Sequence, residues 1–196
     1  MPTILLVRHG QTDVIGHRLT GRLPGVRLND EGRRQVQRLA EALGQRSIAA
    51  VYTSPMERAV DTAVPIATRS SLTPSIRPGL TEMDFGEWSG RTLEELERST
   101  PWKRFNVNRT GTRAPRGEHI IEVQQRMVAE LEALREAHGD QTIVVVSHGD
   151  PLKTIIAHYV GISLDLLPRF DVAPASVTEL VLDDWTATLR SLNTIR

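Results

Sequence analysis

The sequence predicts an α/β fold built on a doubly wound, mostly parallel sheet. Two short and largely apolar runs, residues 3–7 and 142–146, have the composition of strands covered on both faces, as the strands of a parallel sheet are. Each run is followed at once by a residue pair that includes a histidine, and segments of helical periodicity separate the strands. Strands that alternate with helices are typical of this architecture, in which ligands bind beyond the carboxyl ends of the strands.

The first half of the chain is predicted to run strand, helix, strand, helix. Apolar side chains that recur every three or four residues predict a helix with Asp30 as its N-cap. Residues 48–52 form the next strand-like run. Ser54 and Glu57 then match a capping box with a proline at the first helical position, which places Arg58 in the first turn of a second helix.

The second half is predicted to alternate in the same way after an irregular stretch. Thr92 and Glu95 form a capping-box pattern that starts a short helix, whereas residues 101–117, rich in Arg, Thr, Asn and Gly, are expected to form a surface excursion. Helical spacing over residues 120–138 predicts a long helix with one buried face. The expected closing elements are a strand at residues 142–146, a helix that opens at Pro151, and strands at residues 177–182 and 188–192.

Composition limits the kinds of partner. The 196 residues suit one domain, taken as residues 1–196, and 24 Lys and Arg residues balance 24 Asp and Glu residues. A chain without net charge lacks the positive surface that nucleic acid or an anionic membrane requires, so neither is expected as a partner. No cysteine is present, which excludes disulfides and thiolate zinc sites and fits a cytoplasmic location, and no apolar run is long enough to span a membrane.

Two histidine turns carry the strongest indication of chemistry. His9 lies between Arg8 and Gly10 at the end of one buried strand, and His148 is followed by a glycine at the end of another. A neutral imidazole is a good nucleophile near neutral pH, so His9 is a candidate to attack phosphorus. The amides that open the helix after His148 would present partial positive charge to an anion. Either turn alone is compatible with a structural role, but the pair favours an anion site.

Arginine and acidic side chains complete the predicted site. Arg58 stands at the start of a helix, where its charge opposes the helix dipole, so helix stability does not explain it. With Arg8 it is suited to clamp the oxygens of a phosphate, because a planar guanidinium donates two parallel hydrogen bonds. A departing alkoxide also needs a proton donor, for which Glu82 is the candidate and Asp84 the competitor.

Metal sites and other histidine roles are not indicated. The sequence holds no His-Glu-x-x-His pair, calcium loop or P-loop, so no metal is expected. The remaining histidines lack an evident partner in the sequence and are expected to be structural: His17, His119, His138 and His158.

Taken together, the motifs resemble the histidine phosphatase superfamily, also called the phosphoglycerate mutase-like family, over nearly the whole chain. The motifs that carry the resemblance are Arg8-His9-Gly10-Gln11-Thr12, Gly21, Ser54-Pro55-Met56-Glu57-Arg58-Ala59, Thr62-Ala63, Glu82 with Phe85-Gly86-Glu87-Trp88-Ser89-Gly90, and Ser147-His148-Gly149. The resemblance implies a three-layer α/β/α sandwich. It also implies that His9 is phosphorylated, that Arg8, Arg58 and His148 surround the phosphate, that Glu82 is the proton donor, and that no cofactor is needed.

Departures from the family pattern favour hydrolysis over mutase activity. Cofactor-dependent phosphoglycerate mutases usually continue the first motif to a Trp-Asn pair, where this chain has Val14 and Ile15. We therefore expect a metal-independent phosphomonoesterase that hydrolyses a small phosphorylated metabolite through a phosphohistidine on His9. A mutase-type phosphotransferase and a phospholigand-binding relative without turnover stay open as alternatives.

Substrate identity is expected to depend on residues 19–26 and 101–116, which should line the mouth of the site. Thr20 and Gly21 are the candidates for substrate contact. Asp150, where many relatives have a small residue, indicates either a hydrogen bond or repulsion of a highly anionic substrate. Solvation is expected for three arginines, with contact to a second anionic group as the alternative: Arg104, Arg109 and Arg113. For oligomeric state, a homodimer is expected on base rates alone.

Overall fold

A six-stranded sheet forms the centre of the computed structural model, which describes residues 1–195. The strands are Thr3–Arg8 (β1), Ile48–Thr53 (β2), Ser75–Ile76 (β3), Thr142–Ser147 (β4), Ser176–Leu182 (β5) and Ala187–Ile195 (β6). Their order is β3-β2-β4-β1-β5-β6, with parallel pairing from β3 through β1 and antiparallel pairing of β5 with β1 and β6. The predicted mostly parallel sheet is confirmed.

Within residues 1–195, six α-helices connect the strands. They are Asp30–Leu43 (α1), Glu57–Arg69 (α2), Leu93–Glu97 (α3), Thr100–Val107 (α4), Ile120–His138 (α5) and Gly149–Val160 (α6). Three short 3-10 segments, Pro78–Leu80, Gly86–Trp88 and Leu164–Arg169, lie in the connections. The described residues include no helix long and apolar enough to cross a membrane.

The two central strands divide the core into two layers. Alternate side chains of a strand point to opposite faces, so Ile4 and Leu6 of β1 join the cluster formed with α5 and α6. Leu5 and Val7 join the second cluster, formed with α1 and α2. All four side chains are fully buried. Helices thus cover both faces of the sheet, which gives the expected α/β/α sandwich and explains why both central strands are apolar without alternation.

Three helix starts differ from prediction. The N-cap of α1 is Asn29 rather than Asp30, because the Asn29 side chain accepts a hydrogen bond from the backbone of Gly32. The capping box at Ser54 is wrong, since α2 begins at Glu57 and no side chain caps it. Helix α6 begins at Gly149, two residues before the predicted start at Pro151; a proline fits there because the first four N–H groups of a helix lack intrahelical partners.

The predicted surface excursion at residues 101–117 is partly wrong, because it begins with helix α4 and contributes to the core. Phe105 is fully buried, and its ring lies 5.2 Å from that of Trp88 and 5.8 Å from that of Trp102. We call these three side chains the aromatic cluster. The many polar residues around it conceal this apolar contact in the sequence.

Candidate active site

The two predicted histidines lie side by side at the carboxyl edge of the sheet. β1 and β4 are neighbouring parallel strands, and their register pairs Arg8 with Ser147, the residues just before the two histidines. The backbone N–H of His9 donates to the carbonyl of Ser147 at 3.0 Å. The two rings are buried, with centroids 5.2 Å apart. Sheet register therefore brings His9 and His148 together, as expected for residues that follow adjacent parallel strands.

The hydrogen bonds of His9 define which ring nitrogen is free. Its Nδ1 lies 2.8 Å from the carbonyl oxygen of Gly10, which only accepts, so Nδ1 carries the proton. Its Nε2 accepts from Nε of Arg58 at 3.3 Å and therefore holds a lone pair. Burial, followed by the charges of Arg58 and Arg8, holds the pKa of His9 well below its ordinary value of 6.5. The ring is thus neutral near pH 7, with an unprotonated Nε2.

Arg58 enters the site from the first turn of α2 and is only 2% exposed. Its Nη2 donates to the carbonyl oxygen of Gly21 at 2.9 Å. Gly21 has a φ of +51°, and a Cβ there would come within 2.9 Å of the hydroxyl oxygen of Ser89, so a glycine suits this position. Gly21 therefore positions the guanidinium through its carbonyl group.

Arg8 approaches from the end of β1. Its Nη1 donates to the carbonyl oxygen of Val172 at 2.7 Å, which fixes the guanidinium. Among the described residues, three buried nitrogens near this point have no hydrogen-bond partner: Arg8 Nε, Arg58 Nη1 and His148 Nδ1. Because buried polar groups are nearly always paired, this grouping marks a site suited to an oxyanion.

Glu82 supplies the carboxyl group of the site. Its Oε1 accepts from the backbone N–H of Met83 at 2.8 Å, and its Oε2 lies 3.9 Å from Nδ1 of His148. Burial, then the charge of Asp150, raises the pKa of Glu82 from 4.5 to about 7, against the opposing charges of Arg58 and Arg8. A carboxyl group with such a pKa can give and take a proton near neutral pH.

The competing acid, Asp84, serves the backbone instead. Its Oδ1 accepts from the N–H of Gly86 at 2.8 Å, which shapes the turn after Glu82. The structure thus brings Glu82, and not Asp84, within reach of the histidine pair.

A support network behind Glu82 was missed by the sequence analysis. The carbonyl oxygen of Glu82 accepts from Arg22 at 2.8 Å and from Arg126 at 3.2 Å. The carboxylate of Glu118 pairs with both arginines, at 2.8 and 3.0 Å, and accepts from the backbone of Asp84 at 2.9 Å. The pair of Arg22 with Glu118 joins segments that are distant in the chain, so it leaves no local sequence signal.

Ser54 is a second residue whose contact was missed. Its hydroxyl oxygen lies 2.7 Å from Nε2 of His148 and accepts from the backbone N–H of Met56 at 3.2 Å. The sequence analysis gave this serine a role only as a helix cap, although it lies in one of the quoted motifs. The fold uses it to contact a histidine 94 positions away.

The mouth of the site holds an ion pair that the sequence analysis did not resolve. Asp150 pairs with Arg109 at 3.0 Å, and the guanidinium of Arg109 lies 4.9 Å from the centre of the Phe105 ring. Arg109 is only 7% exposed, so its expected solvation is wrong, and Asp150 forms a local contact on the protein. Thr20 is partly exposed, and its carbonyl group accepts from the N–H of Leu23 at 3.0 Å.

The other two arginines of this region, Arg113 and Arg104, have no contact with His9 or His148 among the described residues. Arg113 pairs with Glu122, and Arg104 is exposed. Within residues 1–195, no group of three or more His, Asp or Glu side chains is arranged to hold a metal ion. The described site therefore offers a lone pair on nitrogen, cationic donors and a carboxyl group with a raised pKa.

Several known proteins are similar to this chain. Phosphoserine phosphatase 1 of Hydrogenobacter thermophilus is 28% identical over 198 residues, which cover 98% of this chain and 92% of that protein. Glucosyl-3-phosphoglycerate phosphatase of Mycobacterium tuberculosis is 34% identical over 164 residues, covering 79% of this chain and 73% of that protein. The solved structure of Bacillus stearothermophilus YhfR superposes with a TM-score of 0.94 at 28% identity, covering 100% of this chain and 98% of that one.

A family model also matches the chain. The model described as histidine phosphatase superfamily (branch 1) matches residues 4–195, nearly the whole chain. The motifs quoted above lie within this range. The range also includes β1 and β4, the strands that end at the two histidines. The chain belongs to the histidine phosphatase superfamily.

Proposed function

We propose that the protein is a metal-independent phosphomonoesterase that hydrolyses a small phosphorylated metabolite through a phosphohistidine on His9. One observation carries the proposal. The unprotonated Nε2 of His9 lies beside buried, unpartnered donors of Arg8 and Arg58, and Glu82, with a pKa near 7, stands at the same place. A nucleophile, an anion clamp and a proton donor are thus assembled in one buried site.

In the first step, Nε2 of His9 attacks phosphorus, so that an N–P bond forms while the P–O bond to the leaving group breaks. The phosphate oxygens take the place of His9 as partners of Arg58, and the unpartnered Nε of Arg8 also donates to them. The carboxyl proton of Glu82 moves to the departing oxygen. The products of this step are a free alcohol, a phosphohistidine and an ionised Glu82.

In the second step, Glu82 acts as the base. Its carboxylate takes a proton from water as the water oxygen attacks phosphorus, and the N–P bond breaks. This releases inorganic phosphate and restores both the neutral His9 and the protonated Glu82. One carboxyl group serves both steps because its pKa lies near the working pH.

The names of the relatives support the proposed substrate class. The relatives are named for phosphoserine and glucosyl-3-phosphoglycerate, both small phosphorylated metabolites.

The proposed location is the cytoplasm, which suits a chain without cysteine. The proposed unit is one domain of 196 residues, alone or as a homodimer.

The proposal is tested by hydrolysis of p-nitrophenyl phosphate and of a panel of metabolite monophosphates in the presence of EDTA. We expect activity to survive the chelator and to fall by about 10⁴-fold or more in His9→Ala. His158→Ala is the matched control, because this exposed histidine lies near the far end of α6. An acid-labile phosphohistidine should form in the wild type and in the control only.

Other outcomes would assign a different function. Full activity in His9→Ala, or loss of activity in EDTA, would contradict the mechanism. Isomerised phosphoglycerate in place of released phosphate, in an assay primed with a bisphosphorylated glycerate, would favour a mutase. Tight phosphate binding without any phosphohistidine would favour a binding protein.

A further inference from the structure

We propose that Ser54 is a positioning residue that holds neutral His148 in the tautomer with its proton on Nδ1. In this tautomer His148 donates a hydrogen bond to the phosphoryl group that His9 attacks. The inference rests on the proposed function for its consequence, but the tautomer itself can be measured without turnover.

The contact between Ser54 and His148 is short and fully enclosed. Both residues are 0% exposed, and the distance between the hydroxyl oxygen and Nε2 is 2.7 Å. Ser54 is fixed at the end of β2, where its backbone N–H donates to the carbonyl of Val146 at 3.0 Å. The two side chains are therefore held together by the pairing of β2 with β4.

Counting hydrogens gives the direction of this bond. A serine hydroxyl has one proton to donate and two lone pairs, and one lone pair accepts from the N–H of Met56 at 3.2 Å. Nε2 of His148 is the only other partner of this hydroxyl among the described residues. If Nε2 carried a proton, the serine proton would be left buried without an acceptor, which is unfavourable. The hydroxyl therefore donates to Nε2, and the ring proton resides on Nδ1.

This choice matters because His148 is neutral. Burial, followed by the charges of Arg58, His9, Arg8 and Arg126, holds the pKa of His148 well below 6.5. A neutral imidazole donates from one nitrogen only, so the tautomer decides whether His148 offers a proton or a lone pair to the site. The facing carboxyl group is that of Glu82, whose Oε2 lies 3.9 Å from Nδ1.

The second ring nitrogen of His148, Nδ1, is the one left to meet the phosphoryl group. Nδ1 is buried without a hydrogen-bond partner and lies 3.9 Å from Oε2 of Glu82, and the centroid of its ring lies 5.2 Å from that of His9. With a proton there, His148 is a donor to a phosphoryl oxygen, whose negative charge it stabilises during transfer. With a lone pair there, it would repel the same oxygen. The Ser54 hydroxyl does not itself touch the phosphoryl group, and yet it determines whether His148 offers a proton or a lone pair to it.

The first experiment measures the tautomer directly, by long-range ¹⁵N–¹H NMR of the imidazole in wild-type protein, with His148→Gln used to assign the signals. We expect a pyrrole-type Nδ1 and a pyridine-type Nε2, with and without bound inorganic vanadate. A proton on Nε2 in the wild type would overturn the proposal, whatever the activity of the enzyme.

A matched pair of variants then distinguishes the effect of the hydroxyl group from the effect of side-chain volume. Ser54→Thr keeps a hydroxyl, whereas the valine of Ser54→Val has nearly the same shape as threonine but no hydroxyl. We expect Thr to retain the Nδ1 proton and activity within a few-fold, and Val to lose the fixed tautomer and about tenfold to hundredfold in kcat with a smaller change in KM. Equal kcat in the two variants would contradict the proposal.

Ser176→Ala controls for removal of a buried serine. Ser176 is 0% exposed, and its hydroxyl oxygen has no partner among the described residues. The variant should keep both the His148 tautomer and kcat. A change in the tautomer equal to that in Ser54→Val would show that core packing, and not the Ser54 hydroxyl, controls the ring.

Discussion

The turns that follow β1 and β4 begin with the same residues, a histidine and a glycine, and yet differ in what they offer. After β1, His9 presents the lone pair of Nε2, because its Nδ1 carries the proton and donates it to the carbonyl oxygen of Gly10. After β4, His148 is the N-cap of a helix that begins at once, and its Nε2 is occupied by a hydroxyl. The chain after His9 instead continues irregularly to α1. Identical local sequence therefore sets the place of a histidine, and distant neighbours set its chemical role.

The largest expected difference concerns activity. His9→Ala removes the nucleophile and should abolish the phosphohistidine, whereas His148→Ala removes one donor and should lower kcat by about 10²-fold to 10³-fold. Rapid-quench measurement of the phosphohistidine distinguishes the two variants. Loss of the phosphohistidine in His148→Ala, with the fold intact by circular dichroism, would mean that both turns carry the nucleophilic chemistry.

The glycines of the two turns should differ in stability. A Cβ at Gly10 would lie 2.9 Å from the backbone oxygen of Gly32 and 3.0 Å from a methyl group of Val36, whereas a Cβ at Gly149 meets nothing nearer than 3.6 Å. Gly10→Ala should therefore lower the free energy of unfolding by about 1–3 kcal/mol, and Gly149→Ala by much less. Urea unfolding measures both. Equal losses would show that the first turn is free to move away.

Glu82 faces His148 of the second turn, and its partly buried position makes stability depend on pH. Its folded pKa of about 7 lies above the unfolded value of 4.5, so ionisation disfavours the folded state as pH rises through this window. Glu82→Gln should match the wild type near pH 4 and exceed its stability at pH 8 by up to about 3 kcal/mol. Thermal unfolding at both pH values measures the difference. A gain of equal size at pH 4 would contradict the raised pKa.

The residues after the two glycines, Gln11 and Asp150, supply the smallest contrast. The carboxylate of Asp150 raises the pKa of Glu82, so Asp150→Asn should move the alkaline limb of the kcat/KM profile to lower pH, by part of the interval between about 7 and 4.5. Gln11→Asn is the control and should leave the limb in place. An unchanged alkaline limb in Asp150→Asn would show that the charge of Asp150 does not raise the pKa of Glu82.

The parts of the fold that local pattern determines were predictable. Strands β1 and β4 are apolar runs, α5 carries a regular apolar stripe, and adjacent parallel strands bring His9 and His148 together. Their chemical states were not predictable, because burial and distant charges set the pKa of Glu82 and a residue 94 positions away contacts His148. Helix α4 escaped prediction since polar neighbours surround Phe105.

The same limit applies at the mouth of the site. From the sequence, Arg109 was expected to be solvated, and Asp150 was expected to form a hydrogen bond or to repel an anionic substrate. Their pairing at 3.0 Å depends on the packing of the segment after α4 against α6. Whether a charged side chain is solvated or paired depends on whether the fold brings an opposite charge beside it. Local sequence does not contain that information.

The aromatic cluster gives the protein an optical property. Trp88 is 3% exposed and lies in the turn that follows Glu82, whereas Trp185, between β5 and β6, is 92% exposed. An indole shielded from water emits at shorter wavelength than one in contact with it, so the tryptophans contribute separable fluorescence. Trp185→Phe leaves an emission that comes only from Trp88 and Trp102, beside the loop that bears the acid. Ligand entry into unlabelled protein can then be followed by the change in that emission.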